Sequence, residues 1–188
     1  AKCPLYLVHL SARQSLEVVR LFRRWGEPTL FAETCPHYLT LTNADLLKRG
    51  SLGKVGPPLR EKEDAEALWA ALKDGLIEVV GSDYAGYTVQ QKEPLRENIF
   101  KAPSGLPGIG NLLTLMYQEG INRGRITLPR LVELLCENPA RIFGLYPKKG
   151  VLRPGSDADL VVFDPAIPDT IGSGDQHLKT DYSMYEGR

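Results

Sequence analysis

Two residues of this sequence have the chemistry of metal ligands and stand at the ends of apolar runs. His9 closes the run 5–8, and Asp83 follows the run 77–81 after a single serine. Catalytic groups of a β/α barrel lie at the carboxyl ends of its strands, so this placement predicts part of a metallohydrolase centre. The spacing alone leaves a plainer interpretation open. A single histidine after a strand is often only hydrogen-bonded, and an aspartate there can form an Asx turn.

The residues around His9 and Asp83 alternate between strand-like and helix-like patterns. Residues 5–10 and 77–81 are short, apolar and typical of strands buried on both faces of a parallel sheet. Residues 29–32 predict a strand between them in the chain. Ser11 and Gln14 have the spacing of a capping box, which predicts a helix directly after the first strand. Apolar residues recur at helical spacing in two segments, which contain Leu16, Val19 and Phe22, and Ala65, Leu68, Trp69 and Leu72.

This alternation predicts an α/β fold with right-handed βαβ units and a parallel sheet. A complete eight-stranded barrel needs about 250 residues, so three strands indicate an incomplete one. After residue 107 the pattern becomes helical: Thr127 is expected to cap residues 128–137, and Asn138 to open a short helix that ends at Gly144. Residues 158–163 predict a further strand, and the chain after Pro165 predicts a loop or an arm.

The bulk composition argues against several classes of protein. Lys plus Arg and Asp plus Glu are each 23, so no net charge favours nucleic acid or an anionic membrane. No apolar run reaches the roughly 18 residues of a membrane span. Cys3, Cys35 and Cys136 lack CxxC spacing, which indicates packed thiols in a reducing, cytoplasmic compartment. The sequence begins at Ala1 without a methionine, so we interpret it as a piece of a longer protein.

Seven segments between residues 8 and 161 occur in the order in which a known family carries them. They are Val8-His9-Leu10-Ser11, Glu33-Thr34-Cys35-Pro36-His37-Tyr38-Leu39, Gly56-Pro57-Pro58-Leu59-Arg60, Gly81-Ser82-Asp83, Gly105-Leu106-Pro107-Gly108, Glu137-Asn138-Pro139-Ala140-Arg141 and Gly155-Ser156-Asp157-Ala158-Asp159-Leu160-Val161. Together these motifs resemble the cyclic amidases of the amidohydrolase superfamily, the hydantoinase, dihydropyrimidinase and allantoinase group. The resemblance covers nearly the whole chain but only the C-terminal part of a family member.

The resemblance implies both a fold and a metal centre. Residues 1–150 would form the last strands and helices of a TIM-like (β/α)8 barrel, and residues 151–188 a return strand and tail of a small flanking β-sandwich. Family members hold two Zn²⁺ ions, and a metal-activated hydroxide opens the ring amide of a hydantoin or dihydropyrimidine. His9 corresponds to a metal ligand, and Asp83 to a ligand that also transfers the proton. The other ligands would precede Ala1, so the isolated chain is expected to be inactive.

Four more positions follow from the same resemblance. Gly56 and Ser104 correspond to positions that hold the cyclic amide or ureide substrate, and His37 and Tyr84 to neighbours of the metal ligands. Family members usually carry serine, asparagine and histidine where this chain has Gly56, Ser104 and Tyr84. These departures leave two alternatives open. One is an allantoinase or dihydroorotase-like enzyme, which His37 favours, and the other is a non-catalytic dihydropyrimidinase-related scaffold protein. Open strand edges indicate a homo-oligomer, and the resemblance implies the same because family members are commonly dimers or tetramers.

Overall fold

A computed structural model describes residues 3–26, 29–173 and 179–188. Three strands, β1 (Leu5–Leu7), β2 (Leu30–Thr34) and β3 (Val79–Val80), form a parallel sheet in the order β1-β2-β3. Leu5 is opposite Leu30 in the first pair, and Thr34 is opposite Val80 in the second. The predicted parallel sheet is therefore confirmed.

The helices of the described residues are mostly short. The α-helices are α1 (Arg13–Arg24), α2 (Pro36–Thr40), α3 (Asn43–Arg49), α4 (Lys62–Lys73), α5 (Val89–Lys92), α6 (Leu112–Met116), α7 (Leu128–Val132) and α8 (Asn138–Ile142). Single 3₁₀ turns occur at Gly50–Gly53, Glu93–Leu95 and Ile109–Asn111. Two π-helical turns, Tyr117–Ile121 and Glu133–Glu137, continue α6 and α7 without a break.

The first and third strands are shorter than their apolar runs suggested. The strand predicted for residues 5–10 ends at Leu7, and the one predicted for 77–81 is only Val79–Val80. The prediction that the first strand is buried on both faces is wrong. Leu5 is 52% exposed because β1 lies at an edge of the described sheet. The backbone adopts a left-handed conformation at His9 and Asp83, two and three residues after the ends of β1 and β3.

The predicted capping box before the first helix is also wrong. Helix α1 begins at Arg13 and has no cap from a neighbouring side chain. Instead, the Arg13 N–H donates to the Asp64 carboxylate, 51 residues along the chain, at 2.9 Å. Ser11 accepts a hydrogen bond from Arg60 at 3.4 Å rather than from the helix. The start of α1 is thus bonded by Asp64, a distant residue, and not by the predicted pair Ser11 and Gln14.

Two amphipathic helices form much of the core, as their periodicity predicted. Leu16 and Val19 of α1 are buried, and α1 packs against both β2 and α4. The predicted apolar face of α4 is buried throughout; its members are Ala65, Leu68, Trp69 and Leu72. Phe22 is the exception in the pattern, since it is 41% exposed and meets the ring of Trp25 rather than the core.

The C-terminal helices hold β3 in place through polar side chains. Thr127 caps α7 as predicted, since its side chain accepts from the N–H of Arg130. The Arg130 guanidinium donates to the carbonyls of Leu72 and Ile77, both at 2.8 Å. Asn138 donates to the carbonyl of Glu78 at 2.8 Å. Two hydrogen bonds from one helical stretch, to Ile77 and Glu78, therefore anchor the segment that leads into Asp83, and a third joins the same stretch to α4.

The last part of the chain differs from its prediction in two ways. The strand predicted for residues 158–163 does not form, and Val161 and Val162 are exposed. A strand requires a paired neighbour, and none of the described residues pairs with this segment. The predicted terminal arm has no regular structure, but its side chains Tyr182, Met184 and Tyr185 are buried in the core. In the described ranges, no helix has both the length and the apolarity that crossing a membrane requires.

Candidate metal and substrate site

The two predicted metal ligands and two further possible donor residues follow strand ends at one edge of the sheet. His9 follows β1, Cys35 and His37 follow β2, and Asp83 follows β3. Because the three strands are parallel and adjacent, their carboxyl ends lie side by side. His9 and Asp83, 74 positions apart in the sequence, are therefore brought to the same sheet edge, although His9 is not among the three residues whose ligand atoms lie within 4.8 Å of one another.

His9 and Asp83 share a backbone conformation that non-glycine residues adopt rarely. Both have φ of 45°, and no other non-glycine residue in the described part of the chain has a positive φ. Histidine and aspartate tolerate this left-handed region better than most residues do. Such conformations are found preferentially at active sites and ligand sites. The two residues that the sequence identifies as candidate ligands are thus the two described non-glycine residues with a left-handed backbone.

His37 and Cys35 complete a compact group of possible donor atoms around Asp83. The Nε2 atom of His37 lies 3.8 Å from Oδ2 of Asp83. One ligand atom from each of Cys35, His37 and Asp83 lies within 4.8 Å of the other two. His37 is 2% exposed, and its Nε2 has no hydrogen-bond partner among the residues that the structure describes. A buried polar atom without a partner is costly, so this nitrogen is positioned to meet a group from outside the chain.

Burial and charge determine the protonation of this group. Burial raises the pKa of Asp83, and the neighbouring His9 opposes that change. Burial, assisted by the charge of His9, lowers the pKa of His37 to about 3. Burial also raises the pKa of the Cys35 thiol, and the carboxylates of Asp83 and Glu33 raise it further. His37 is therefore a neutral imidazole at pH 7, the form in which histidine binds metals.

Glu33 is a site residue for which sequence reasoning assigned no role. Its carboxylate accepts a hydrogen bond from the Tyr6 hydroxyl at 2.6 Å. A β-carbon at Gly81 would lie 2.6 Å from the Glu33 carboxyl carbon, so the absence of a side chain there makes room for the carboxylate. One signal was present in the sequence: a carboxylate among the apolar residues of a strand is expensive to bury and usually has a purpose.

The titration of Glu33 predicts a pH dependence of stability. Burial raises the pKa of this carboxyl group above 4.5, against the opposing hydrogen bond from Tyr6. The folded chain then binds the proton more tightly than the unfolded chain does. The Glu33 contribution to the free energy of unfolding is therefore fully present below pH 4.5 and is lost as pH rises through the higher folded-state pKa.

The substitution Glu33→Gln removes this titration but keeps an oxygen atom for the Tyr6 hydroxyl. As pH rises from mildly acidic to neutral, we expect the free energy of unfolding of the Glu33→Gln variant to fall less than that of the unsubstituted chain. Urea unfolding at a series of pH values measures the difference. The exposed Glu17, replaced in the same way, is the control. Equal pH slopes in the unsubstituted chain and in Glu33→Gln would contradict the prediction.

The two positions predicted to hold substrate face each other on loops that reach the segment just after Asp83. A β-carbon at Gly56 would be 3.0 Å from Oγ of Ser104, so these two positions face each other. The chain just after Ser104 then runs beside the chain just after Asp83, where Tyr84 and Leu106 form a parallel bridge. The structure therefore brings both predicted substrate positions to the side of the sheet edge where Asp83 stands.

Tyr84, predicted as a neighbour of the ligands, is turned toward the loop that follows it. A β-carbon at Gly86 would lie 2.3 Å from the Tyr84 hydroxyl oxygen, so the ring covers that glycine. The next residue, Ala85, donates its N–H to the Leu106 carbonyl at 3.0 Å. The described contacts of Tyr84 thus fasten the loops together.

The donor atoms at this edge fit a divalent metal ion. Imidazole nitrogen and carboxylate oxygen are ligand types that ions such as zinc prefer. The raised pKa of Cys35 keeps its sulfur in the thiol form, which is a poorer ligand than a thiolate. The unpartnered Nε2 of His37, aimed at Asp83, is the specific observation that favours such an ion.

Comparison of the sequence with known protein families also indicates a hydrolase of this type. The model of the "Amidohydrolase family" matches residues 26–187, which is most of the chain. The chain belongs to the amidohydrolase family.

Similar amidohydrolases are known both as sequences and as structures. The D-hydantoinase of Ralstonia pickettii is 42% identical over an alignment of 188 positions that covers 98% of this chain and 41% of that protein. The L-hydantoinase of Paenarthrobacter aurescens is 38% identical over 187 residues, with the same 41% share of its own length. The crystal structure of dihydropyrimidinase from Brevibacillus agri NCHU1002 superposes on the whole chain with a TM-score of 0.95, at 36% identity.

The amidohydrolase chain spans about two fifths of the length of these relatives, 41% in each case. A more distant structure, dihydroorotase from Saccharomyces cerevisiae, is 16% identical with a TM-score of 0.65 and shares the fold alone. The parallel sheet and its helices are therefore those of part of an amidohydrolase.

Proposed function

We propose that this chain is the C-terminal part of a metal-dependent cyclic amidohydrolase that opens hydantoin or dihydropyrimidine rings. The observation that carries the proposal is the position of His37 beside Asp83 at one sheet edge, with its Nε2 3.8 Å from Oδ2 of Asp83 and without a hydrogen-bond partner among the described residues. The names of the similar proteins, hydantoinase and dihydropyrimidinase, support this class of substrate.

The proposal includes an architecture. Residues 1–150 would supply the last strands and helices of a TIM-like barrel, and residues 151–188 a strand and tail of a flanking β-sandwich. Support comes from the three parallel strands with their helices. It also comes from the apolar segment 158–163, whose exposed side chains lack a partner strand among the described residues.

The metal is proposed to be Zn²⁺, in a centre of two ions that takes further ligands from a preceding part of the protein. His9 and Asp83 would hold it, and His37 would lie against the Asp83 carboxylate. A bound cation of this kind lowers the pKa of a water molecule toward about 7 and polarises a carbonyl group. Histidine and carboxylate ligands leave the remaining coordination positions open for water and substrate.

Asp83 is the proposed catalytic residue. Its carboxylate would accept the proton of the attacking water and deliver it to the ring nitrogen as the amide bond breaks. Burial raises the pKa of Asp83, which favours capture of a proton by its carboxylate.

The substrate is proposed to lie between the Asp83 edge and the facing positions Gly56 and Ser104. Gly56 offers only main-chain groups, and Ser104 adds one hydroxyl, so the ring amide would be held largely by the backbone. A cyclic amide presents one N–H and one carbonyl side by side, which complementary main-chain groups can bind.

Two alternatives rest on specific residues. His37 favours an allantoinase or dihydroorotase-like substrate. The similar dihydroorotase structure supports only the fold, so this alternative is weaker. Tyr84, whose hydroxyl covers Gly86, favours a non-catalytic scaffold protein. The retention of both His9 and Asp83 in unusual backbone conformations favours the enzyme.

A homo-oligomer in the cytoplasm completes the proposal. Leu5 and Val8 are exposed beside the open edge of β1, which would be covered by another part of the protein or by a second copy. Cys3, Cys35 and Cys136 are free thiols, which agrees with a reducing compartment.

The test compares this chain with the full-length protein of which we propose it is a part. Both are supplied with zinc and assayed against hydantoin, dihydrouracil, allantoin and dihydroorotate. We expect the full-length protein to hydrolyse hydantoin or dihydrouracil and the 188-residue chain to hydrolyse none of the four. Turnover of allantoin or dihydroorotate alone would select the first alternative. Metal-loaded protein without any turnover would select the scaffold.

A further inference from the structure

Lys92 is buried although it carries a charge. It is the last residue of α5 and its side chain is inaccessible to solvent. Its ammonium group donates to the main-chain carbonyls of Leu52 at 3.1 Å, Lys54 at 3.0 Å and Gly105 at 2.7 Å. An ammonium has three donors, and a buried charge is costly unless each donor has a partner. The three carbonyls therefore satisfy the group completely.

The loops that Lys92 joins are also joined by other hydrogen bonds. The Gly105 N–H donates to the Lys54 carbonyl at 3.1 Å. The Lys54 side chain also donates to the Ser104 loop: its ammonium group bonds the carbonyls of Phe100 at 3.1 Å and Ala102 at 2.6 Å. Lys92 is the member of this network that contacts both loops from a third element, α5.

These loops carry the two positions proposed to hold substrate. Gly56 is two residues after Lys54, and Ser104 directly precedes Gly105. Because Gly56 and Ser104 nearly touch, a shift of either loop changes the space between them. We propose that Lys92 is a positioning residue that sets the separation of the Gly56 and Ser104 loops, and through it the fit of the ring amide. This inference rests on the proposed function.

The surroundings of the ammonium keep it in place. Burial, with a smaller effect of Lys54, lowers the pKa of Lys92 to about 8, so the group is mostly protonated at neutral pH. The Tyr182 ring centre lies 5.8 Å from the Lys92 nitrogen, within the range of a cation–π contact. The Tyr182 hydroxyl donates to the Leu52 carbonyl at 3.3 Å, so the C-terminal segment supports the same loop.

The substitution Lys92→Met tests the inference, because methionine is apolar, unbranched and similar in length but cannot donate. The matched control is Lys101→Met, at an exposed lysine of the loop that carries Ser104. The first readout is hydrogen exchange of the Gly105 and Ala85 amides in the 188-residue chain. We expect exchange at both to become faster by about tenfold or more in Lys92→Met, since charge-assisted hydrogen bonds are lost. Amides of α4 and β2 should be unchanged.

The second readout is the hydrolysis of hydantoin by the zinc-loaded full-length protein. We expect KM to rise by about tenfold and kcat to change by less than about threefold, because main-chain contacts hold substrate and transition state similarly. A purely structural role would instead lower the amount of active enzyme and leave KM as it was. Lys92→Gln, which keeps N–H donors in a shorter side chain, is judged by the same measurements if Lys92→Met does not fold.

The outcomes separate this inference from the proposed function. Exchange that accelerates equally throughout the chain, or an unchanged KM, would overturn the role of Lys92. A full-length protein that hydrolyses no cyclic amide, with exchange still faster only at the two loops, would overturn the proposed function. The loop-holding role of Lys92 would then remain, without its link to substrate.

Discussion

Replacement of Asp83 by asparagine is expected to reduce kcat/KM for hydantoin by about a thousandfold in the zinc-loaded full-length protein. Asparagine cannot accept and return a proton, and its neutral amide oxygen is a weaker metal ligand than a carboxylate. Asparagine also tolerates the left-handed backbone that Asp83 adopts, with φ of 45°, better than alanine does. The loss would therefore report on the carboxylate and not on a distorted strand end.

Steady-state kinetics and the bound metal, measured by elemental analysis, check this prediction together. The control is Asp74→Asn, at an exposed aspartate just beyond α4. Lower metal content with lower activity would support both proposed roles of Asp83. Full metal content with a large loss of kcat would restrict Asp83 to proton transfer. Unchanged activity would contradict its assignment as the catalytic residue.

The second large effect is expected in the core. Trp69 of α4 is 3% exposed, and its indole N–H donates to the Leu39 carbonyl at 2.9 Å. Trp69→Ala would leave a cavity and an unpaired carbonyl group. We expect the free energy of unfolding to fall by about 3–5 kcal/mol, the range for removal of a large aromatic side chain from a core. Many domains have little more stability than that.

Urea unfolding followed by circular dichroism measures this change, because the signal does not depend on tryptophan. The chain contains a natural control in Trp25, which is 66% exposed. Trp25→Ala should change the free energy of unfolding by no more than about 0.5 kcal/mol. Trp69→Phe keeps much of the ring and loses the hydrogen bond, so an intermediate effect is expected. A loss below about 1 kcal/mol for Trp69→Ala would contradict the prediction.

Much of the fold could be predicted because its signals are local. The apolar face of α4 follows from helical spacing alone, and every predicted member of that face is buried. Thr127 caps α7 because a cap needs only the next turn of the chain. Where a distant partner competes, the local prediction failed. The carboxylate of Asp64 took the place of the Ser11 capping box, since it reaches the Arg13 N–H from another helix.

The strand predicted for residues 158–163 failed for a related reason, because the distant partner that it needs is missing from the described residues. Its run of apolar, β-branched and aromatic residues is a sufficient local pattern, but a strand exists only when a neighbour completes its hydrogen bonds. No neighbour is present among the residues that the structure describes. Burial of Tyr182 and Tyr185 had no signal in the sequence, because it depends on residues far away in the chain, such as Leu52, which accepts a hydrogen bond from Tyr182.

The sequence by itself determined the type of fold, the family and the two residues, His9 and Asp83, that stand at strand ends. Those properties follow from periodicity and from residue types that are read locally. Only the tertiary structure decided which side chains share the site. The left-handed turns at both residues, the unpartnered nitrogen of His37 and the carboxylate of Glu33 all depend on three strands lying side by side. Lys92 is the clearest case: nothing near it in the sequence distinguishes it from an exposed lysine. Its role arises because folding brings three carbonyl groups around one ammonium.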